Sequence, residues 1–436
     1  MLTCIIRDKL CYKKLSAYNI LSLLKNAIVI FFVFGMSPVL SSERGLLNSH
    51  IVGYQGWFQC PSDELGAGWS HWFRANQPDI QSVTVDLLPD MHDYDEDEKC
   101  KTKIKLPSGK TLELFSSQNK KTVDRHISWI AKYNIEGIAL QRFVVALENE
   151  SGRKKYNRVM QLMKQSTEKF RKSWYVMYDI SSANAKTWAD TIYNDWKNLV
   201  ESGIVGSSSY MMHKGRPVIS IWGLGFKSRP GNPEEVLELM RKLRALGVGV
   251  TIIGGTPTGW RLLTGDSKED AAWRDVYNAL DVISPWSVGR YRDVVSFNRH
   301  LEIVKADINY VYSQGKDYLP VVFPGYSFAN TSNNPTLFNL IKRNCGLFYS
   351  NQLKGLLSFE RIKMIYTAMF DEMDEGTALI PAVSEDYSET MAGKFVQDDT
   401  KNCNRDPFAY LKLAGAAAIV LKKQQRNDAI RQYFRE

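Results

Sequence analysis

The residues best suited to chemistry lie late in the chain, in Phe370-Asp371-Glu372-Met373-Asp374-Glu375-Gly376. Asp371, Glu372, Asp374 and Glu375 place four carboxyl groups within five residues. Such crowding raises at least one pKa toward the range of a general acid. An exposed acidic turn would show the same spacing. What favours chemistry is the apolar run MIYTAMF just before it, which reads as a buried strand delivering the acids to one place. The second acidic run, Asp93–Glu98, follows no such strand and is expected to be a solvated loop, with calcium binding as a minor alternative. The remaining motifs fail. No GxGxxG opens a helix, and there is no P-loop, no GxSxG elbow and no HExxH. The histidines at 50, 71, 92, 126, 213 and 300 lack metal-ligand spacing, so neither a metal nor a cofactor is expected. His71, between Trp69 and Trp72, is the histidine to watch, although a structural role in an aromatic loop is equally open.

The elements that must position these acids are legible as alternating strand and helix patterns. Eight apolar runs read as strands: 51–58, 137–145, 174–181, 216–223, 250–255, 282–287, 318–325 and 364–372. Most are continuously apolar, as in a parallel sheet buried on both faces. Helical periodicity lies between most of them, at 123–133, 155–170, 188–200, 233–246, 273–280 and 294–312, and a closing helix is expected within 407–423. The pattern predicts an α/β fold, a (β/α)8 TIM barrel with a large insertion after the first strand. That insertion, 59–136, contains the strand-like run SVTVDLLP (82–89), which would be a ninth strand in a different fold.

In such a barrel the site forms at the C-terminal strand ends. Those ends carry Tyr54, Gln55 and Trp57, then Gln141 and Arg142, then Asp179, Trp222, Trp286 and Tyr326, before the loop with Glu372 and Glu375. With His71 these are the expected substrate-binding residues around two catalytic glutamates. Acids set among aromatics suit a sugar: rings stack on the aromatic faces, and carboxyl groups protonate and assist at the glycosidic bond.

The formal charge is +9. Five of the basic side chains (Arg7, Lys9, Lys13, Lys14, Lys25), against Asp8, lie within residues 1–42. No basic stripe interleaved with aromatics remains, so nucleic acid is not an expected partner. Residues 27–40, AIVIFFVFGMSPVL, follow those basic residues as the apolar core of a signal peptide would; the alternative is an uncleaved membrane anchor. The expectation is therefore a leader or anchor over 1–42 and one hydrolase-like domain over 43–436. The domain would lie outside the cytoplasm and is expected to be a monomer. Cys60, Cys100, Cys345 and Cys403 permit two bridges in three pairings. Cys60 and Cys100 share the insertion, and Cys345 and Cys403 flank the last strand.

The segment FDEMDEGTALIPAV (370–383) resembles the F-N-E-W-x-E-G-T-x-I-x-P-A segment of glycoside hydrolase family 99, the endo-α-mannosidases. The opening VGYQGWFQCPSDELGAGWSHWF (52–73), VDLLPDMHDYD (85–95) and the closing DPFAYLKLAG (406–415) look like the family 71/99-like proteins often labelled hypothetical xylosidase/arabinosidase. The resemblance implies a (β/α)8 barrel without metal or cofactor. It implies retaining cleavage through a 1,2-anhydro sugar, with Glu372 as base on the 2-hydroxyl and Glu375 as acid/base at the glycosidic oxygen. Asp371 stands where the family has Asn, and Met373 where it has Trp, so the resemblance implies a reaction class and not a particular sugar or linkage. The expected function is hydrolysis of an α-linked, mannan- or glucan-like oligo- or polysaccharide. A carbohydrate-binding protein on a degenerate barrel is the rival reading, and a barrel lyase or esterase a weaker one.

Overall fold

The structure is a computed structural model that describes residues 45–66, 68–106, 108–383, 394–396, 403 and 406–434. The expected leader over 1–42 lies outside the described residues. The rest belongs to one compact unit, Arg44–Glu436.

Eight parallel strands form the centre. They are β1 (Ser49–Tyr54), β2 (Gly137–Phe143), β3 (Ser173–Asp179), β4 (Arg216–Trp222), β5 (Thr251–Thr256), β6 (Val282–Pro285), β7 in two short pieces (Asp317–Tyr318 and Val321–Val322), and β8 (Met364–Thr367). Their side chains are almost entirely buried, which is why the sequence runs are apolar on both faces rather than alternating. Register runs in parallel around the sheet, for example Ile51↔Gly137, Gly137↔Ser173 and Asp179↔Trp222. The ring closes at β7. Its first piece pairs with β6 and its second with β8, and β8 pairs with β1. This interrupted strand was expected as one run over 318–325. The break falls at Leu319-Pro320, where the carbonyl of Pro320 still accepts from the Tyr366 N–H at 2.9 Å.

The main helix after each strand is, in turn, α1 (Lys120–Lys132), α2 (Glu150–Phe170), α3 (Trp188–Glu201), α4 (Pro233–Arg244), α5 (Trp273–Ala279), α6 (Val294–Ser313), α7 (Leu347–Leu357) and α8 (Ala409–Leu421). The α/β barrel expected from the sequence is therefore present. Helix α4 begins as the sequence indicates, with Pro233 in its first turn and Asn232 and Glu235 capping each other. Helix α7 was not anticipated. Helix α8 is apolar nearly all round because it is buried nearly all round. Its Ala414 carbonyl meets His50 Nδ1 of β1 at 2.8 Å, while His50 Nε2 meets Thr367 Oγ1 of β8 at 2.6 Å. Tyr349 of α7 joins the same Thr367 hydroxyl at 2.7 Å. This buried polar chain fastens two helices to the seam where the first and last strands meet.

Between β1 and α1 lies an insertion pinned by the Cys60–Cys100 bridge, Cα–Cα 6.3 Å, which starts a small antiparallel hairpin, Cys100–Lys105 with Thr111–Leu114. Cys345 and Cys403 form the second bridge. Residues 82–89 are not a ninth barrel strand. Their backbone is used elsewhere: the N–H groups of Asp86 and Leu87 donate to the Met373 carbonyl at 3.2 and 3.0 Å, and the Leu88 carbonyl accepts from Val383. This strand-like run is thus a strut under the acidic loop. The other acidic run is less solvated than expected. Glu98 is buried against Arg125, and Lys121 pairs with Asp95 and Asp97.

Packing of α8 gives a test. A Cβ on Gly415 would lie 2.0 Å from the Tyr133 carbonyl oxygen, at the end of α1, where only backbone could yield. Gly415→Ala is expected to cost about 1–3 kcal/mol of stability by overpacking. Gly206→Ala, at a position with nothing within 4 Å, should be nearly neutral. Thermal unfolding of both variants checks the difference, and equal melting points would contradict this packing.

Candidate active site

The acidic loop leaves β8 as a continuation of the barrel's hydrogen-bonding. The Ala368 N–H donates to Val322 of β7 at 2.9 Å, and the Phe370 N–H to Gly53 of β1 at 2.7 Å. The chain then turns back, so that Leu379 donates to the Phe370 carbonyl at 3.0 Å. Within this closed loop the four acids have different partners. Asp371 is fully buried and accepts the backbone N–H groups of Gln55 and Gly56 at 2.7 and 2.9 Å, locking the end of β1. Gly56 has φ +63°, a left-handed turn that suits glycine and helps bring both N–H groups to one carboxylate. Glu372 is buried and accepts on both oxygens, from Gln55 Nε2 and from Thr377 Oγ1, each at 2.6 Å. Asp374 is buried, with one oxygen 3.5 Å from His71 Nδ1 and the other without a partner. Glu375 is only partly buried, and no described residue donates a hydrogen bond to its carboxyl group. Its backbone is held instead: its carbonyl accepts from Ser327 N–H at 2.9 Å, and Arg343 donates to the next carbonyls, Gly376 and Ala378, at 3.0 Å each.

Around this loop the structure places the expected residues unevenly. Gln55 grips Glu372 directly. Trp57 stacks on His71, ring centroids 4.2 Å apart and nearly parallel, and His71 reaches Asp374. Gln141 faces the barrel interior and donates to the Tyr366 hydroxyl at 3.2 Å. Trp286 lies 6.1 Å from the Tyr366 ring, and Trp222 lies edge-on to Trp286 at 5.3 Å. Tyr326 and Asp179 are close enough for their charge states to be coupled to Glu375.

Two expectations are corrected. Arg142 is not at the rim. Neighbouring side chains on a strand point to opposite faces, and since Gln141 points inward Arg142 points into the helical layer. There it is fully buried and pairs with Asp195 of α3 at 2.6 and 2.9 Å and with Asn157 of α2 at 3.0 Å. Tyr54 likewise turns outward, where its hydroxyl meets His126 of α1 at 3.0 Å and its ring stacks on Phe370. Three residues near the glutamates were missed: Tyr366, Thr377 and Asp86. Tyr366 carried a usable signal, since it lies in β8 and must face one side or the other. A Cβ on Gly53 would meet its hydroxyl at 2.1 Å, so β1 leaves the space that Tyr366 fills.

No family model and no curated protein matches the sequence. Solved structures do match. The glycoside hydrolase family 99 endo-α-mannosidase from Bacteroides thetaiotaomicron, solved in complex with bis-tris-propane, aligns with TM-score 0.62 at 17% identity, over 88% of this chain and 99% of the other. A second structure of a family 99 endo-α-mannosidase from that organism aligns at TM-score 0.61 and 15% identity, over 89% and 99%. A glycoside hydrolase-like protein aligns at 0.52 and 13%, over 89% and 98%. The chain has the family 99 glycoside hydrolase fold.

Within this glycoside hydrolase fold the electrostatics of the loop separate the two glutamates. Burial is the first cause throughout, because it penalises the charged form. It carries Asp371 and Asp374 each to about 7 and Glu375 to about 8. The charges of Asp374 and then Asp179 add to the rise at Glu375. Glu372 is also pushed up, by burial and then by the charges of Glu375 and Asp374, while Thr377 and Gln55 oppose the rise. Neighbouring acids of this kind share protons. The two donors on Glu372 act against that rise, and among the described residues Glu375 has none. One carboxylate trio elsewhere, Asp95, Asp97 and Glu98, could gather its oxygens around a cation, but Lys121 and Arg125 already pair with it.

Asp86 is the loop's hidden support. It is fully buried, and it accepts from the Ser327 hydroxyl and from the Ala329 and Asn330 N–H groups, the latter two at 2.8 Å each. Through Ser327 it fixes the segment that holds the Glu375 carbonyl. In Asp86→Asn an amide NH2 must face at least one of these donors. The expected cost is about 1–3 kcal/mol for the donor left unsatisfied. It should appear as a lower melting temperature, and an unchanged melt would remove the strut from the account.

Proposed function

We propose that this chain is a glycoside hydrolase acting on an α-linked, mannan- or glucan-like oligo- or polysaccharide, with Glu375 as general acid/base and Glu372 as the base on the sugar 2-hydroxyl. The observation that carries this reading is the unequal treatment of two glutamates on one short loop. Glu372 is buried and doubly hydrogen-bonded; Glu375 is partly open and undonated. The fold of the family 99 endo-α-mannosidase structures supports the same class.

The loop also favours a particular route. Acids three residues apart on one loop are poorly placed to flank an anomeric carbon from opposite faces, as a conventional pair does across about 5–9.5 Å. They can instead act on neighbouring oxygens. Glu375 gives its proton to the leaving glycosidic oxygen as the C1–O bond breaks. Glu372 takes the 2-hydroxyl proton as O2 bonds to C1, closing a 1,2-anhydro sugar. Water then opens that ring at C1, losing a proton to Glu375 while Glu372 returns its proton to O2. Net retention results. A pure binding protein would have no use for a proton held on Glu375. The two disulfides support an oxidising, extracytoplasmic location for this chemistry.

The roles separate in variants. Glu375→Gln should lose about 10²–10⁴-fold in kcat/KM on natural glycans and recover on an aryl glycoside whose leaving group needs little protonation. Glu372→Gln should be crippled on both. Equal rescue of the two by the good leaving group would overturn the assignment, and full activity in either would overturn the site. The pH profile gives a second check. An acid raised to about 8 is in its active, protonated form below that pH. Thus kcat/KM should fall on an alkaline limb near pH 8, and Glu375→Gln assayed on the aryl glycoside should lack that limb. An alkaline limb unchanged in Glu375→Gln would assign the proton to another group.

A further inference from the structure

Arg229 belongs to no motif, yet it stands beside the candidate site with no ion-pair partner among the described residues. It lies in the turn after β4, and that turn is built rather than loose. Lys268 Nζ donates to the Arg229 carbonyl at 2.9 Å and also to the Gly231 carbonyl. The guanidinium carbon sits 5.1 Å from the centre of the Trp222 ring. Arg229 Nη1 reaches only its neighbour Ser228, at 2.9 Å to the hydroxyl and 3.3 Å to the carbonyl, and its buried Nε has no partner. Among the described residues no carboxylate forms an ion pair with it.

What faces it is specific. Asp179 is the register partner of Trp222 on the next strand, so the two side chains leave the barrel on the same side. Asp179 accepts from the Ser181 N–H at 2.7 Å. Burial raises its pKa to about 6, and the Arg229 charge works in the opposite direction, so the two groups sense each other without touching. Trp222 is 8% exposed, and its buried indole N–H has no acceptor. It fits there because Gly255 carries no Cβ, which would lie 2.7 Å from the indole ring. Trp286, edge-on to Trp222, is the partly exposed ring of the pair.

We propose that Arg229, with Asp179 and the Trp222–Trp286 pair, forms a second sugar-binding position beside Glu375, holding two adjacent hydroxyls of a neighbouring sugar between guanidinium and carboxylate. A hydroxyl both donates and accepts, so a pair of them satisfies a carboxylate and a guanidinium that stand too far apart to satisfy each other. The ring's C–H face packs on Trp286. A free anion fits less well, because the Asp179 carboxyl faces the guanidinium and is itself felt at Glu375. Arg229 is then a specificity-determining residue that rewards a glycan long enough to reach past the glutamates. This inference rests on the glycosidase reading for its ligand class.

The test is calorimetric titration of the full-length protein with α-linked mannobiose, mannotriose and mannotetraose, and with the matching glucose series. Affinity should rise with chain length in the wild type for one of the two series. In Arg229→Ala that rise should disappear, with binding of the longest sugar weakened roughly ten- to a hundredfold, the scale of a hydrogen bond to a charged group. Arg229→Lys, which keeps the charge and loses the fork, should recover part of it. Trp286→Ala should reproduce the Arg229→Ala loss, so the proposal can be judged even if one variant folds poorly. In hydrolysis, Arg229→Ala should raise KM for the long sugars more than for an aryl monosaccharide glycoside. Length dependence unchanged in Arg229→Ala and Trp286→Ala would overturn the position, as would a wild type that binds neither series. Arg229-dependent binding without hydrolysis would leave the position standing and take down the glycosidase reading. Hydrolysis that is indifferent to Arg229 would do the reverse.

Discussion

Four carboxyl groups crowded into five residues at the dry end of a buried strand form the constraint around which this barrel is arranged. Isolated acids in that position would neutralise, or the loop would swing into water. Here each is answered differently. Two backbone N–H groups from the end of β1 meet Asp371, and two side-chain donors meet Glu372. His71 approaches Asp374, and no described residue donates to Glu375. The supply of donors runs out along the loop, and that gradient distinguishes Glu372 from Glu375.

The donors have to be put in place, and distant parts of the chain do so. Gln55 serves twice, its backbone N–H on Asp371 and its side chain on Glu372, so the end of β1 and the acidic loop are set as one unit. The insertion contributes residues 82–89, whose backbone binds the Met373 carbonyl and whose Asp86 gathers the segment around Ser327. Arg343 answers the carbonyls that follow Glu375. The loop is therefore braced from β1, from the insertion and from the segment after β7. Such bracing fits a group whose task is to present a proton in one direction.

Much of this was legible in the residues. The continuous apolar runs marked the eight strands because a parallel barrel buries both faces of each strand, and the final run delivered Glu372 and Glu375 to its end. The pairing of Cys60 with Cys100 and Cys345 with Cys403 is one of the three that the spacing left open. Facing direction was less legible. Arg142 and Tyr54 were expected at the rim because they end strands, but alternate side chains on a strand leave in opposite directions, and both serve the helical layer. The strut at 82–89 looked like a strand because its residues are apolar and β-branched, a composition that also suits an extended segment buried under a loop. Helix α7 was overlooked although its buried positions recur at helical spacing, because Gly355 and the buried Gln352 blur the pattern. Asp86 could not have been found from its neighbours in sequence, since its partners lie more than two hundred residues away.

The proposed division of labour requires that the loop hold a proton on Glu375 at neutral pH. Carbon-13 NMR of protein labelled at the glutamate side-chain carboxyls, followed as pH is raised, reads this without any substrate. A glutamate resonance that moves only near pH 8 and that is missing from Glu375→Gln is expected. A spectrum in which every glutamate has titrated by about pH 5, the ordinary range, would contradict it.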